Sequence, residues 1–258
     1  TGNNAFGTDA LASNTNGNNN IAIGYQSLNS NTTGATNIAI GTGALFSNSN
    51  GSNNIAFGSQ ALKMNIVDNN LAIGTNALSS NSTGTDNIGL GSSALYGNTT
   101  GVTNLAIGAN ALLLNSTGSN NIAIGSQALK LNIAGNNMAI GYNALTSNTT
   151  GSNNVALGNN AMLNNTTGQG NTAVGDNALA ANSITNNITA VGRNSLAANT
   201  TGSGNSATGY NALQLNTSGS NNNAFGSGAL QNNITGSNNT AFGTNVLAAN
   251  TAGSNGGF

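Results

Sequence analysis

The chain has 258 residues, of which only 3 are Lys or Arg and 4 are Asp or Glu, and it contains no His, Cys, Pro or Trp. About a quarter of an ordinary soluble domain is charged, whereas polarity here comes from neutral side chains and glycine, with 57 Asn and 37 Gly. This composition argues against a thick globular core and against most catalytic, metal-binding and nucleic-acid-binding classes.

The few ionisable residues are isolated from one another. Nucleic-acid binding needs several cations that neutralise phosphates, but Lys63, Lys130 and Arg193 are far apart in the sequence. Zinc and calcium sites need Cys, His or clustered carboxylates, and a hydroxyl nucleophile needs an activating base. We therefore expect no enzymatic activity, no metal, no cofactor and no nucleic-acid partner. The solitary carboxylates are Asp9, Asp68, Asp86 and Asp176.

A short motif recurs along the whole chain. The tetrapeptide Ile21 to Gly24 returns with conservative changes as far as Thr240 to Gly243. We call its glycine the marker glycine and number each unit from it as position 0. The steps between markers are 17 residues, apart from two steps of 16. The fifteen marker glycines are residues 7, 24, 41, 58, 74, 91, 108, 125, 141, 158, 175, 192, 209, 226 and 243.

Other positions of the unit are almost as constant as the marker. Asn occupies position +7 in all fifteen units, and Leu occupies +4 in all but one, where Met162 replaces it. Ala occupies −2 except at Gly89, and Asn occupies −4 except at Ile188. The segment Ser-Gln-Ala-Leu-Lys at 59–63 returns at 126–130, which indicates duplication of a four-unit block of 67 residues.

Each unit predicts one coil of a β-solenoid. The Ile-Ala-Ile segment has the two-residue period of a strand, and it is followed by a break at Gly, a short extended stretch around Ala-Leu and an Asn-Thr-Thr-Gly turn. We predict an all-β parallel solenoid of about 15 coils, with residues 1–258 forming a single repeat domain. Because the chain begins without Met, we expect it to be an excerpt of a longer fibre protein.

The strand alternation also predicts which side chains are buried. We expect the residues at −3 and −1 to face the core and the Ala at −2 to face outward as a flat apolar strip, which is typical of an interface. Gly at a tight corner and stacked Asn amides are expected to form structural ladders. The predicted ladder residues are Gly24, Gly41, Gly58, Gly108, Gly125, Asn31, Asn48, Asn115 and Asn132. The predicted interface residues are Ala22, Ala39, Ala56, Ala106 and Ala123.

The unit resembles the head repeats of trimeric autotransporter adhesins. The segments Ile21 to Gly24, Ile38 to Gly41, Ile122 to Gly125 and Val155 to Gly158 carry the similarity, and comparable arrays occur in phage tail fibres. The resemblance implies a left-handed β-roll, a homotrimer, and a non-catalytic adhesive or spacer fibre at a cell surface, on a virion or otherwise extracellular. Its implied partners are copies of itself and a host-surface carbohydrate or protein.

The chain departs from that pattern in two ways. Its units are longer than typical adhesin head coils, and from Thr172 onward position −3 turns polar. We therefore expect a narrower or wetter core, or a different lateral contact, in the C-terminal third.

Two other functions remain open. Asn-rich sequence of low charge and high β regularity is typical of cross-β assembly, so a self-assembling filament or functional amyloid is the main alternative. Thr pairs such as Thr32-Thr33 suggest ice binding as a further alternative. It is the weaker one, because a flat ice-binding array needs two Thr on the same strand face, and adjacent residues point to opposite faces. No run of about 18 apolar residues predicts a membrane span. Tyrosines are candidate carbohydrate contacts, namely Tyr25, Tyr96, Tyr142 and Tyr210.

Overall fold

The computed structural model of the chain describes residues 2–257. The chain is an all-β parallel β-solenoid of about 14 turns with a repeat of about 17 residues, which confirms the predicted fold class. It forms two compact units, Thr1–Gly135 and Asn136–Phe258. In the described part of the chain, no helix is long and apolar enough to cross a bilayer.

The first unit contains eight strands of three residues, and each strand pairs in parallel with the next one along the chain. Each residue lies opposite its own counterpart, so that Ala22 pairs with Ala39. The strands are β1 (Asn4–Phe6), β2 (Ile21–Ile23), β3 (Ile38–Ile40), β4 (Ile55–Phe57), β5 (Leu71–Ile73), β6 (Ile88–Leu90), β7 (Leu105–Ile107) and β8 (Ile122–Ile124).

The second unit repeats this arrangement with seven strands, again parallel and in the same register. Each strand directly precedes a marker glycine, as the repeat predicts. The strands are β9 (Met138–Ile140), β10 (Val155–Leu157), β11 (Thr172–Val174), β12 (Thr189–Val191), β13 (Ser206–Thr208), β14 (Asn223–Phe225) and β15 (Thr240–Phe242).

The predicted direction of the strand side chains is wrong. The alanines at −2, expected outside, point into the solenoid, while the residues at −3 and −1 point out. The five predicted interface alanines are fully buried, namely Ala22, Ala39, Ala56, Ala106 and Ala123. Gly89 shows the reason, because a Cβ built at this −2 position lies 3.2 Å from the carbonyl oxygen of Ala94 and 3.4 Å from Leu78. A methyl group already fills the space, so an Ile side chain has no room inside.

The largest core side chain of each coil is the Leu at +4. Leu28 and Leu112 are fully buried, yet their φ angles are both 50°, in the left-handed region. Met162 occupies the same position with the same φ. This backbone conformation lets the N–H group of Leu28 donate to the carbonyl of Ala44 in the next coil at 2.9 Å. The inter-coil hydrogen bond and the burial of the side chain together offset the free-energy cost of the left-handed conformation, which is unfavourable for L-amino acids other than Gly.

The polar substitutions at −3 in the C-terminal third do not reach the core. In β11 to β15 the Ala residues at −2 remain fully buried, as do Leu196, Leu213 and Leu230 at +4. The expectation of a wetter core is therefore wrong, because position −3 lies on the outside of the solenoid. The change alters the exterior of this unit instead.

We expect stability to depend more on β-branching than on side-chain volume at position +4. We expect Leu112→Met to change the free energy of unfolding by less than about 1.5 kcal/mol, because the swap conserves volume. Leu112→Ile should cost about 1–2 kcal/mol more, because a β-branched residue is strained at positive φ. Urea denaturation of both variants measures the difference, and equal stability of the two would contradict the left-handed conformation.

Candidate functional site

The marker glycines form the predicted ladder, and two constraints explain it. Gly24 has φ +126°, and a Cβ built on it lies 2.8 Å from the carbonyl carbon and oxygen of Gly41. Gly108 has φ +128°, and its Cβ would lie 2.7 Å from the carbonyl of Gly125. Backbones of neighbouring coils therefore approach too closely for any side chain. Gly41 and Gly58 have the same geometry, and Gly125 shares the positive φ, at 131°.

The asparagines at +7 form the second predicted ladder. The Nδ2 group of Asn48 donates to Oδ1 of Asn31 at 3.2 Å, and that of Asn132 donates to Oδ1 of Asn115 at 3.2 Å. All four side chains are fully buried. Each Nδ2 group also donates within its own turn, as Asn48 does to the carbonyl of Gly51 at 2.8 Å. The buried amides are thus satisfied by copies of themselves.

A third ladder, at −4, was not predicted. The backbone N–H of Asn37 donates to Oδ1 of Asn20 at 2.9 Å, and its Nδ2 group donates to the carbonyl of Gly51 at 2.8 Å. The carbonyl of Gly51 therefore accepts from both asparagine ladders. The recurrence of Asn at −4 was the available signal. No described buried side-chain nitrogen or oxygen lacks a hydrogen-bond partner.

One coil of the second unit departs from the ladder pattern. Thr185 stands at +10, where most coils have Gly, and its hydroxyl donates a short hydrogen bond to Oδ1 of Asn182. In the next coil the +7 residue, Asn199, keeps the regular bond within its own turn, in which its Nδ2 group donates to the carbonyl of Gly202 at 2.9 Å. Ile188 replaces the Asn at −4, but its backbone N–H still donates to Oδ1 of Asn171 at 3.0 Å. The backbone repeat therefore survives where its side chains change.

The side chains at −3 and −1 of β2 to β8 form a continuous apolar surface on the first unit, which we call the outer face. Ile23, Phe57 and Ile73 are 41%, 52% and 44% exposed, although all are large apolar residues. In the second unit the −3 column is polar from Thr172 onward. Its −1 column ends with Phe225 and Phe242, whose rings stack with centroids 5.0 Å apart. The two units therefore present different exteriors.

Several of the hydroxyl and carboxylate groups singled out in the sequence make coil-to-coil hydrogen bonds. The hydroxyl of Thr32 donates to the carbonyl of Ser49 at 3.0 Å, and Thr99 repeats this bond to Ser116 at 2.8 Å. Such hydroxyls are committed to the protein, which weakens the ice-binding alternative. Oδ1 of Asp68 accepts a backbone hydrogen bond from Ser52. No group of three or more potential metal-ligating residues occurs within residues 2–257.

The four tyrosines project outward as expected. Tyr25, Tyr142 and Tyr210 occupy +1 and are 51%, 51% and 52% exposed, while Tyr96 occupies +5 and is 42% exposed. They belong to four separate coils. Comparison of the chain with protein-family models, curated proteins and solved structures finds no match. The resemblance to adhesin heads and tail fibres therefore remains an expectation.

Adjacent asparagines offer a direct test of the buried ladder. Asn233 is fully buried, donates to Asn216 Oδ1 at 2.9 Å and accepts from Asn250 at 3.0 Å, whereas Asn232 is exposed. We expect Asn233→Ala to lower the free energy of unfolding by about 1–3 kcal/mol, because it leaves buried polar groups unpaired. Asn232→Ala should stay within about 0.5 kcal/mol of the wild type. Equal effects in denaturant titrations would remove the energetic role of the ladder.

Proposed function

We propose that the chain is a structural and adhesive fibre segment that assembles as a homotrimer through its outer face and works outside a cell or on a virion. The observation that carries the proposal is the outward position of the large apolar residues. A parallel solenoid with Ala, Leu and Asn inside leaves two columns of Ile, Leu and Phe in water. Exposed apolar patches of this kind normally mark interaction sites.

The extent of the outer face favours a macromolecular partner over a small ligand. Seven strands spaced about 4.8 Å apart make columns about 30 Å long. The columns are continuous, since Ile21 to Ile23 pair in register with Ile38 to Ile40 and so on to β8. A small ligand would cover only a fraction of such a surface. A partner that covers it must be extended and flat.

A copy of the same chain matches that requirement. In each column of the outer face an apolar side chain recurs once per coil. Only a surface with the same repeat spacing can pack against these side chains in register along the whole length. The face carries no charged residue in β2 to β8, so it offers nothing for the charge-based selection of a different protein. Three copies around an axis, as in the adhesin heads that the sequence resembles, would bury this face in each chain.

The low charge of the chain is consistent with a long-lived extracellular support. Stacked coils place identical positions about 4.8 Å apart, so that a charge repeated at one position would repel its own copies. Asn, Ser, Thr and Gly supply water-compatible surface without this repulsion. Solubility then depends on covering the outer face, and assembly does so. Adhesion requires in addition a site on the remaining surface.

Self-association can be tested by substitutions with a matched control. Ile23→Thr combined with Ile73→Thr changes the outer face, where Thr208 shows that Thr is accepted at −1. Each change removes on the order of 1 kcal/mol of apolar burial, or roughly 6 kcal/mol in a trimer. Sedimentation velocity should find a trimer for the wild type and a monomer for this variant.

The control places the same change on exposed isoleucines away from the outer face. Ile66 and Ile133 are 44% and 43% exposed, nearly the same as Ile73 and Ile23, but they lie in the turns. Ile66→Thr with Ile133→Thr should leave the trimer intact. A monomeric wild type would refute the proposal, and open-ended polymers would favour the filament alternative.

A further inference from the structure

The first unit has a groove whose lining residues do not belong to the outer face. It has a cavity volume of about 330 Å³, at the small end of the range for small-molecule sites. Its residues come from three successive coils and occupy positions +1, +2 and +5. None of them belongs to the columns at −3 and −1 that form the outer face.

One residue that lines the groove, Gly43, has no side chain. At +2 most coils carry a Gln or Asn in the left-handed region, as Gln26 does with φ 56° and Gln60 with φ 58°. Gly43 stands between these two residues in the column with φ 64°. A Cβ built on Gly43 meets only the Cγ of Gln60, at 3.9 Å. The glycine is therefore not required by crowding, and its effect is to open a space between two amides.

The walls of the groove combine aromatic and polar groups. Tyr25 and the hydroxyl-bearing Thr42 line it from position +1, and Phe46 and Lys63 line it from position +5. The side chain of Tyr25 is 51% exposed. Lys63 is one of only three cations in the chain. A nearly uncharged surface thus carries a rare ammonium group in a groove that two aromatic rings also line.

From this composition, we propose that the groove binds a pyranose that bears a carboxylate, such as a uronic acid. One face of a pyranose ring is made of C–H groups and packs against an aromatic ring, while its hydroxyls donate to and accept from the amides of Gln26 and Gln60. The Lys63 ammonium pairs with the carboxylate in a charge-assisted contact. The proposal gives the adhesive part of the proposed function a site, and it does not depend on self-association.

The duplicated block supplies an internal comparison. Sixty-seven residues further on, Gln127 and Lys130 repeat Gln60 and Lys63. The other groove residues are not repeated, since Ser92, Asn110 and Leu113 stand where Tyr25, Gly43 and Phe46 would be. There the Lys130 ammonium donates to Oε1 of Gln127 at 3.4 Å. The aromatic walls and the glycine floor therefore occur together in one copy and are absent together from the other.

Binding can be measured on the full chain with two matched pairs of disaccharides, cellobiouronate with cellobiose and digalacturonate with galactobiose. Titration calorimetry should find one site per chain for at least one uronate, with at least tenfold weaker binding of its neutral partner. Lys63→Gln should bring the two members of that pair within about twofold of each other. Failure of both uronates to bind the wild type would overturn the proposal, as would an unchanged preference in Lys63→Gln.

A cavity-filling variant tests the position of the site. Gly43→Asn introduces the residue that other coils carry at +2 with φ near 58°, such as Asn160 with φ 56°, so we expect no loss of thermal stability. It should weaken uronate binding at least tenfold. The control is Gly228→Asn, the same change at the other glycine in this column, where Gln231 and Ala248 replace Phe46 and Lys63 and the side-chain oxygen of Asn245 must shift to admit the Cβ. Unchanged binding in Gly43→Asn, or equal loss in both variants, would refute the assignment.

A gain of function completes the test. The variant Ser92→Tyr, Ser93→Gln, Ala109→Thr, Asn110→Gly and Leu113→Phe rebuilds the lining of the groove around Lys130, and the stoichiometry should rise from one to two sites per chain. A stoichiometry that stays at one counts against these side chains as the binding determinants. Sedimentation velocity on the same samples separates this result from the assembly proposal, because a trimer that binds no uronate refutes the groove alone, and a monomer that binds it refutes the trimer alone.

Discussion

The close approach of successive coils is the constraint on which the rest of the structure depends. At the marker position a Cβ on Gly24 would lie 2.8 Å from the backbone of Gly41, so each coil rests directly on the next. Every residue then lies beside its own counterpart, and whatever occupies a position must be compatible with a copy of itself. Glycine satisfies this at the corner, and the amide of Asn satisfies it inside, because it is both a donor and an acceptor. A charged residue does not, which is why the composition is nearly neutral.

The same stacking explains how so thin a core is stable. Each coil buries two small residues and one Leu, while the asparagines at −4 and +7 bind one another and the backbone, as Asn37 and Asn48 both do at the carbonyl of Gly51. Buried polar groups are costly unless they are paired, and here the pairing is repeated in every regular coil. The interior is therefore held as much by amide ladders as by hydrophobic contact. The larger apolar residues at −3 and −1 are therefore not needed in the core and lie on the exterior.

The two units differ mainly on this exterior. The first unit keeps an apolar outer face and carries the groove above Gly43, whereas the second unit has polar residues at −3 from Thr172 onward. Variation at outward positions does not disturb the ladders, because the backbone repeat is maintained by Gly, Asn, Ala and Leu. A repeat protein of this kind can thus change what it contacts without changing its fold. In our proposals, assembly and ligand binding use separate columns of the same coils.

The sequence alone determined the 17-residue period, the three-residue strands before each marker glycine, the Gly ladder and the Asn ladder at +7, because these features depend only on each residue lying beside its copy. The tertiary structure decided which strand face is enclosed. Alternation separates Ile from Ala but does not say which of them is inside, and the contact at Gly89 leaves room only for a methyl group. The left-handed Leu at +4 and the groove around Gly43 were likewise hidden. Both arise from contacts between neighbouring coils, which a linear repeat does not display.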